Sequence, residues 1–329
     1  HLWEEIGPEN FSLHSLNLEP VGTGPYLFEK VQKDANGKVL IYELAASQNY
    51  YAKKPYIESI LFKFYPDRES VLAGFRNREV RGLSGVDSWV WDEMEMYHDT
   101  LELHSMRIPH YYVSYFNQTK SEALAYSEVR EALRLATDRS AIVDDIFGGK
   151  AEAGRGPFLP SMIEHEEETR SLDERVEEAN RILDEAGWVR REDGIRERDG
   201  VALAFDLHTA DWREFTRGAD LLRDQWARVG VQAEVKVVSV YDLWNNFIRP
   251  REYEALFFAH TTTLIPDVYA YWHSSRTKDP GLNLSVYKNE DWDALLETLR
   301  IESDNEARKK AIDALLEVLT LDVPALYIF

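Results

Sequence analysis

The stretch YYVSYFNQTKSEALAYSEVREALRLATDRSAIVDDIFGG, residues 111–149, contains the change of pattern that decides the fold. Its first residues, Tyr111–Phe116, are aromatic and β-branched almost throughout, which predicts a strand. Beyond them, Val129–Thr137 and Ala141–Phe147 carry helical spacing, and Gly148-Gly149 predicts the end of the second helix. A strand therefore leads into helical structure, and the residues before this stretch show a different pattern from the residues after it.

The residues before this stretch predict strands. Tyr26–Val31 and Val39–Leu44 are apolar-rich runs, and Asn36-Gly37 between them supplies the positive φ that a tight hairpin needs. Ile57–Tyr65 and Leu101–Met106 have the composition of further strands. The first third of the chain is therefore expected to be rich in strands.

The residues after this stretch predict an alternation of helices and strands. The capping box SLDE, residues 171–174, begins a helix that ends at Gly187. The later elements are predicted in the order Val201–Leu207, Phe215–Val229, Val231–Val238, Tyr241–Ile248, Tyr253–Ala259, the helices Trp292–Ile301 and Glu306–Leu319, and a final strand within VPALYIF. This alternation is typical of βαβ units, so we expect an α/β fold with a mostly parallel sheet.

Composition excludes several classes of protein. The chain has 329 residues, enough for two lobes, and no run of ~18 apolar residues that would cross a membrane. Its formal net charge of −21 repels phosphate backbones, so no nucleic-acid partner is expected. The absence of cysteine removes disulfides, thiolate nucleophiles and cysteine-bound metals.

The short motifs do not predict catalysis. GTG at residues 22–24 is followed by Pro25 and a hairpin, whereas a nucleotide-binding glycine loop opens a helix. GLSG within residues 81–86 lacks the order of a nucleophile elbow, and HEEE at 165–168 lacks the second histidine of a zinc hydrolase. No catalytic residue and no cofactor are therefore predicted.

A metal site is also not predicted. His260, Asp267 and His273 are close in sequence, and imidazole and carboxylate groups suit nickel or zinc. Their spacing matches no known site, and histidines beside aromatic residues are more often hydrogen-bonded parts of the structure.

Aromatic residues are the candidates for ligand contact. Several of the nine tryptophans and 17 tyrosines lie in turn-like places, such as Trp89 and Trp91 in VDSWVWDE, Trp212 in TADWREF, and the aromatic residues of DVYAYWHS. Aromatic faces in a cleft suit sugar rings or peptide side chains. The alternative for each of them is core packing.

The succession of motifs resembles a known family. The motifs are GTGPY, REALRLATDRSAIVDDIFGGKAEAGRGPFLP, EEANRILDEAGW, LLRDQWARVGVQAEV, NLSVYKNEDWDALL and DVPALYIF, in that order from about Pro20 to the end. This order resembles extracellular solute-binding protein family 5, the peptide- and nickel-type binding proteins of ABC importers. The resemblance depends on the succession, since each motif alone is weak.

The resemblance implies a two-lobed clamp of the periplasmic-binding-protein type (type II, cluster C). It implies that residues 1–112 belong to the first lobe, 113–117 to a hinge crossing, 118–322 to a second α/β lobe and 323–329 to the returning hinge strand. Family members carry further residues at both ends, with an export signal, so we expect a chain truncated at both termini.

Other matching residues are expected to be structural. Arg130, Asp138 and Arg139 match the family pattern R-x-A-L-x-x-A-x-D-R, and the last two lie where two helices meet. Charge pairing or helix capping explains them.

One departure from the family concerns the ligand. Peptide-binding members carry D-Y-P-D-P, whose first aspartate pairs with the peptide amino terminus, whereas LIPDV at residues 264–268 places Leu264 there. The resemblance then gives three possible classes of ligand: an oligopeptide and an oligosaccharide, ranked nearly equal, and a metal chelate as the third.

The resemblance thus implies a non-catalytic, extracytoplasmic solute-binding component of an ABC importer that delivers its ligand to the permease. The expected location is periplasmic or extracellular, with a lipoprotein anchor as one form. A ligand-sensing module of a transcription regulator and a carbohydrate-active enzyme are the alternatives. The predicted ligand contacts are Trp89, Tyr111, Trp212, Thr262, Tyr269 and Trp272, with Tyr26 beside them.

Overall fold

Residues 14–84, 94, 101–102, 104, 108–154, 156–158, 162–163, 169–261 and 267–329 are described by the computed structural model. The chain divides into two compact units, His1–Val86 and Asp87–Phe329. The strands are β1 (Tyr26–Lys33), β2 (Val39–Ala46), β3 (Ser59–Lys63), β4 (His110–Phe116), β5 (Val189–Arg190), β6 (Arg196–Arg198), β7 (Val201–Ala202), β8 (Ala204–Ala210), β9 (Gln232–Val238), β10 (Ala255–Thr261) and β11 (Ala325–Tyr327). The helices are α1 (Arg68–Arg76), α2 (Glu122–Ala125), α3 (Ser127–Ala136), α4 (Arg139–Phe147), α5 (Leu172–Glu185), α6 (Arg213–Ala227), α7 (Val240–Asp242, continued by a π-helix over Leu243–Ile248), α8 (Tyr269–Trp272), α9 (Glu290–Ile301) and α10 (Asn305–Asp322).

The first unit contains the predicted hairpin. Strands β1 and β2 are antiparallel, and β3 pairs antiparallel with β2. The turn between β1 and β2 places Gly37 at φ +83°, in the left-handed region that favours glycine, and Asp34 N–H donates to Lys38 O at 2.9 Å. The prediction of a hairpin at Asn36-Gly37 is confirmed.

The second unit is built on a five-stranded sheet with the order β11–β4–β10–β8–β9. Strands β10, β8 and β9 are parallel neighbours, whereas β4 is antiparallel to both β10 and β11. Four strands therefore run in one direction and β4 runs against them. The mostly parallel sheet is confirmed, and β4 is the exception because no βαβ crossover constrains it to run parallel to its neighbours.

Helix caps in this unit are those that the sequence predicts. Ser171 and Glu174 form the complete capping box of α5, and Gly187 follows the helix at φ +86°. Asp138 caps α4 by accepting a hydrogen bond from Ala141 N–H, while Arg139 Nε donates to Tyr327 O at 2.8 Å. The structural roles predicted for Asp138 and Arg139 are confirmed.

The predicted lobe boundaries stay a prediction. The compact units are divided after Val86, and the resemblance implies a first lobe ending at residue 112. Strand β4 contains four of the five residues of the predicted hinge segment 113–117, and β11 contains three of the seven of 323–329. The two strands lie side by side in the sheet of the second unit, with Val113 opposite Tyr327. Their role as a hinge stays a prediction. Of the predicted strand at Leu101–Met106, three residues lie outside the described residues, and the three described ones, Leu101, Glu102 and His104, are not in a strand.

Within the described part of the chain, no helix has the length and apolar character needed to span a bilayer.

Arg130 is the structural residue whose loss we expect to cost most. It is 4% exposed, its Nε donates to Asp322 O at 2.8 Å, and its Nη1 donates to Leu124 O and Ala125 O, both at 2.9 Å. Lysine cannot supply this fork of donors, so Arg130→Lys should lower the free energy of unfolding by about 2–4 kcal/mol in urea titrations.

Arg134→Lys on the same helix is the matched control, because Arg134 is partly exposed and pairs with the side chain of Glu131, one turn away on the same helix. We expect this change to cost less than about 1 kcal/mol. Equal stability of the two variants would contradict a structural role for Arg130.

Candidate ligand-binding site

The carboxyl ends of the parallel strands form the candidate site. In open α/β sheets, ligands bind beyond these ends. Here β8 ends at Ala210, β9 at Val238 and β10 at Thr261, and antiparallel β4 begins at the same edge with His110 opposite Thr261. We call this edge of the second unit the carboxyl edge.

Polar groups of β4 and β10 face each other at the carboxyl edge. His110 Nδ1 lies 2.9 Å from Thr261 Oγ1. His260 lies one residue further into the strand, where its Nδ1 is 2.7 Å from the hydroxyl of Tyr115 and its ring stacks on Tyr271 at 4.5 Å. The Tyr271 hydroxyl donates to Thr261 O at 3.1 Å. The edge is thus lined by hydrogen-bonding groups that are held in place by aromatic packing.

His260 is a neutral group in this setting. Burial, together with the nearby His110, lowers the pKa of His260 to about 4. At neutral pH its imidazole carries no charge, so it acts as a hydrogen-bonding and stacking group and not as a cation for carboxylates.

Tyr111, one of the predicted contacts, carries a buried hydroxyl, and its role in binding stays a prediction. Its side chain is 6% exposed, and its hydroxyl has no hydrogen-bond partner in the described part of the chain. Its ring lies 5.6 Å from His260 and meets Tyr327 edge-on at 5.7 Å. Burial raises the pKa of the Tyr111 hydroxyl to about 12, so the group is a neutral donor. A buried hydroxyl without a partner is costly, and a polar ligand atom would relieve that cost.

Trp212 is the exposed aromatic of this edge. It occupies the residue before α6, shortly after β8 ends, and it is 57% exposed with its ring 5.9 Å from Phe215. Tyr241, which the sequence analysis did not select, takes the corresponding place after β9 and is 76% exposed. Both rings are accessible for stacking, and an aromatic residue immediately after a strand was the signal available for Tyr241.

Tyr269 and Trp272 are engaged within the protein. The Tyr269 ring stacks on His273 at 4.1 Å, and the guanidinium carbon of Arg300 lies 4.4 Å from the ring centroid. Trp272 is 1% exposed, and its indole N–H donates to the Tyr327 hydroxyl at 2.9 Å. The alternative reading, core packing, therefore describes Trp272, and the structure does not offer its side chain to a ligand.

The other predicted contacts lie elsewhere. Tyr26 belongs to β1 in the first unit, where its hydroxyl donates to Ile57 O at 3.0 Å. Trp89 and Thr262 lie outside the described residues, as does Leu264. Their roles stay predictions. His110 and Thr261 were not predicted from the sequence, because nothing local marks residues that meet across strands, whereas Tyr271 was among the candidate aromatic residues of DVYAYWHS.

The residues considered for a metal are engaged separately. His260 contacts Tyr115, and Asp267 Oδ2 lies 3.1 Å from Arg300 Nη2. His273 Nε2 lies 3.5 Å from Glu297 Oε1. The described residues hold no group of three or more His, Cys, Asp or Glu side chains that could bind a metal ion.

Comparison with known proteins gives a consistent set of relatives. The family model of bacterial extracellular solute-binding proteins, family 5 Middle, matches residues 7–282. The oligopeptide-binding protein AppA of Bacillus subtilis is 23% identical over 316 residues, which are 94% of this chain and 56% of AppA. The dipeptide-binding protein of Escherichia coli is 23% identical over 325 residues (95% and 56%), and the nickel-binding protein NikA of Staphylococcus aureus is 23% identical over 320 residues (95% and 60%).

Solved structures show the same fold. AppA of Bacillus subtilis in complex with a nonapeptide gives a TM-score of 0.76 at 22% identity, covering 100% of this chain and 64% of that one. NikZ of Campylobacter jejuni in complex with Ni(L-His) gives 0.78 at 22% identity with the same coverage. The predicted α/β fold of two-lobed periplasmic binding proteins is confirmed. This chain spans between about half and two thirds of the length of these relatives.

The hydroxyl of Tyr111 gives a test of the geometry of the site. Tyr111→Phe removes a buried group without a partner, so the free energy of unfolding of the ligand-free protein should stay unchanged or rise by up to about 1 kcal/mol. Tyr115→Phe is the matched comparison, because it leaves His260 Nδ1 without its partner at 2.7 Å and should cost about 1–2 kcal/mol. Urea unfolding measures both, and a costly Tyr111→Phe would show that the hydroxyl is bonded.

The lowered pKa of His260 should appear as a dependence of stability on pH. The folded pKa lies below the unfolded value near 6.5, so the unfolded state binds more protons and stability falls as the pH decreases from 6.5 towards 4. His260→Asn lacks this titration but keeps an acceptor for Tyr115. From about pH 7.5 to about pH 5.5, the wild type should lose about 1 kcal/mol more than the variant.

This range of pH remains above the isoelectric point of about 4.9, and the carboxylates contribute equally to both proteins. Parallel curves of unfolding free energy against pH would contradict the neutral, buried state of His260.

Proposed function

The chain belongs to the bacterial extracellular solute-binding proteins of family 5, and on this premise we propose that it is the solute-binding component of an ABC importer for oligopeptides. The observation that carries the proposal is the match of the family model over residues 7–282. In the proposed cycle the protein acts outside the cytoplasm, encloses a peptide between two lobes and delivers it to the permease. Binding without chemistry is all that this task requires.

An oligopeptide fits the described part of the site better than the other ligand classes. The relatives reported above are named for an oligopeptide, a dipeptide and nickel. His110, Thr261 and the Tyr111 hydroxyl are neutral hydrogen-bonding groups suited to main-chain amides, and Trp212 presents an apolar ring for a side chain. The described residues offer no cluster of metal ligands, so we rank a bare metal ion below a peptide as the ligand.

The amino terminus of the ligand is not the proposed anchor. Leu264 occupies the position where peptide-binding members carry the aspartate that pairs with that terminus. Without this carboxylate, affinity comes from the main chain and side chains of the peptide. Acetylation of the peptide amino group should then leave affinity within about threefold, since no charge pair is lost.

Closure of the clamp follows from differential affinity. A ligand that contacts both lobes stabilises the closed state only by as much as it binds that state more tightly than the open one. The neighbouring strands β4 and β11 contain parts of both segments proposed as the hinge, and such short segments absorb a rotation of the lobes.

Ligand screening tests the proposal. The protein, at the length that its gene encodes, would be titrated with free and N-acetylated peptides, oligosaccharides and a nickel–histidine complex, followed by thermal unfolding and calorimetry. A ligand at ~100 times its dissociation constant should stabilise the protein by about 2.7 kcal/mol. Binding of peptides alone is expected, and exclusive binding of a sugar or of the nickel complex would refute it.

Two variants test whether the peptide binds at the carboxyl edge. Tyr111→Phe and Trp212→Ala should each weaken peptide binding by about 5- to 30-fold, because one loses a hydrogen bond and the other a stacked ring. Leu321→Ala is the control, since Leu321 is exposed on the last turn of α10. Unchanged affinity in both site variants would move the ligand away from this edge.

A further inference from the structure

Strand β9 forms an open edge of the five-stranded sheet. Its amide at Gln232 donates at 2.9 Å to the carbonyl of Leu203, the residue that precedes β8, and Gln232 pairs with Ala204 at the start of β8. In a parallel ladder alternate residues bond to the same neighbour, so Glu234, Lys236 and Val238 also point their backbone groups at β8. Ala233, Val235 and Val237 point theirs away, and these groups have no backbone partner in the described chain.

A groove of about 730 Å³ runs beside this edge. It is lined by Ala233, Val235 and Val237 together with residues of α6 and of the turn between β5 and β6. Val237 is 47% exposed although it is apolar. An accessible edge with an exposed valine is a template for another strand.

The opposite edge of the sheet differs. Strand β11 has three residues, and the neighbouring Ile328 O accepts a hydrogen bond from Gly154 N–H at 2.9 Å. Strand β9 has seven residues. Gly230 O, two residues before it, accepts a hydrogen bond from Arg196 N–H at 2.9 Å, but no described backbone group pairs with the outer side of residues 232–238 themselves. Pairing with a further strand is therefore favoured at β9.

The sequence of β9 is complementary to itself. In the segment AEVKV, residues 233–237, an antiparallel copy centred on Val235 places Val235 opposite Val235 of the partner subunit and Ala233 opposite Val237 of the partner subunit. All of these residues point their backbone groups outward. Each of the three facing pairs exchanges two hydrogen bonds, which gives about six.

The charges agree with the same register. Glu234 comes opposite Lys236 of the partner subunit, and Lys236 comes opposite Glu234 of the partner subunit, on one face of the joined sheet. A cross-strand pair of opposite charges is favourable, whereas like charges directly opposite are destabilising. A shift of the register by one residue would remove the pairing of opposite charges and would no longer place the outward-pointing backbone groups opposite each other.

Helix α6 borders the same groove. A twofold axis perpendicular to the joined sheet places α6 of both subunits on the same face in antiparallel directions. Arg223 lies between Asp220 and Asp224 in the lining of the groove, with Nη1 2.6 Å from Asp220 Oδ1 and Nη2 2.8 Å from Asp224 Oδ1, so these charges are paired within one helix.

We propose that β9 pairs with β9 of a second copy of this chain, forming a twofold dimer with a continuous ten-stranded sheet. The self-complementary register favours a second copy over an extended segment of another protein. The net charge of −21 on each subunit opposes association at long range, and a Debye length of about 8 Å at physiological ionic strength screens it. The dimer should therefore form at physiological salt and weaken at low salt.

Charge reversal tests the register. Sedimentation velocity on the full chain at physiological salt should show a dimer whose dissociation constant rises at least tenfold in Glu234→Lys and in Lys236→Glu. The double change Glu234→Lys with Lys236→Glu should restore dimerisation, as should an equal mixture of the two single variants. A wild type that remains monomeric at high concentration would overturn the proposal.

Proline substitution tests the edge itself. Val235→Pro removes an N–H that points away from β8, so the monomer should keep its fold while the dimer is lost. Circular dichroism and thermal unfolding establish that the variant is folded. Hydrogen exchange supplies a measurement without mutation, because the amides of Ala233, Val235 and Val237 should become protected as concentration rises. A dimer that survives both Val235→Pro and the single charge reversals would show that another surface is used.

Discussion

The antiparallel pairing of β4 with β10 is the constraint on which the candidate site depends. Seven residue pairs, from His110 with Thr261 to Phe116 with Ala255, fix the register of two strands that are far apart in the chain. A shift by one residue would move every side chain to the other face of the sheet. In the observed register, Tyr111 comes opposite His260 and both lie beside Tyr327. The site is thus a consequence of strand pairing.

Burial then sets the chemistry of that site. His260 is surrounded by tyrosine rings, and desolvation disfavours its charged form, which leaves neutral donors and acceptors along the strands. The Tyr111 hydroxyl is enclosed by the same packing and has no partner in the described chain. A site of this kind suits groups that form hydrogen bonds without carrying charge, such as the amides of a peptide main chain.

An inner strand and an edge strand of this sheet differ in accessibility. Strand β4 lies inside the sheet and is paired on both sides, which suits a strand that holds part of a site in place. Strand β9 is an edge strand. Its backbone N–H and C=O groups point alternately towards β8 and away from it, so about half of them are available to hydrogen-bond with another chain. The same sheet therefore carries the candidate ligand site at its carboxyl edge and the proposed association surface along its side.

Local features of the structure were available from the sequence. Asn36-Gly37 predicted the hairpin, SLDE predicted the start of α5, and the helical spacing of Glu306–Leu319 predicted α10. Each depends on residues within a few positions of one another, because turn geometry and helix capping are local. The order of motifs also indicated the family, and with it the two-lobed fold.

The candidate site was only partly available from the sequence. Trp212 and Tyr111 were selected as aromatics in suitable places, and the structure places both at the carboxyl edge. Trp272 looked equivalent but packs in the core, and Tyr269 lies between His273 and Arg300. Composition cannot separate these cases, because an aromatic residue serves a core and a binding surface equally well.

The sequence by itself thus determined most of the longer elements of the second unit, several of their caps and the family to which the chain belongs. Only the tertiary structure decided that β4 runs against its neighbours, that His260 meets Tyr115 across 145 positions of the chain, and that β9 is left at an edge. The physical reason is that helix and turn formation depends on neighbours in sequence. Desolvation, orphaned hydroxyls and open strand edges depend on which distant segments the fold brings together.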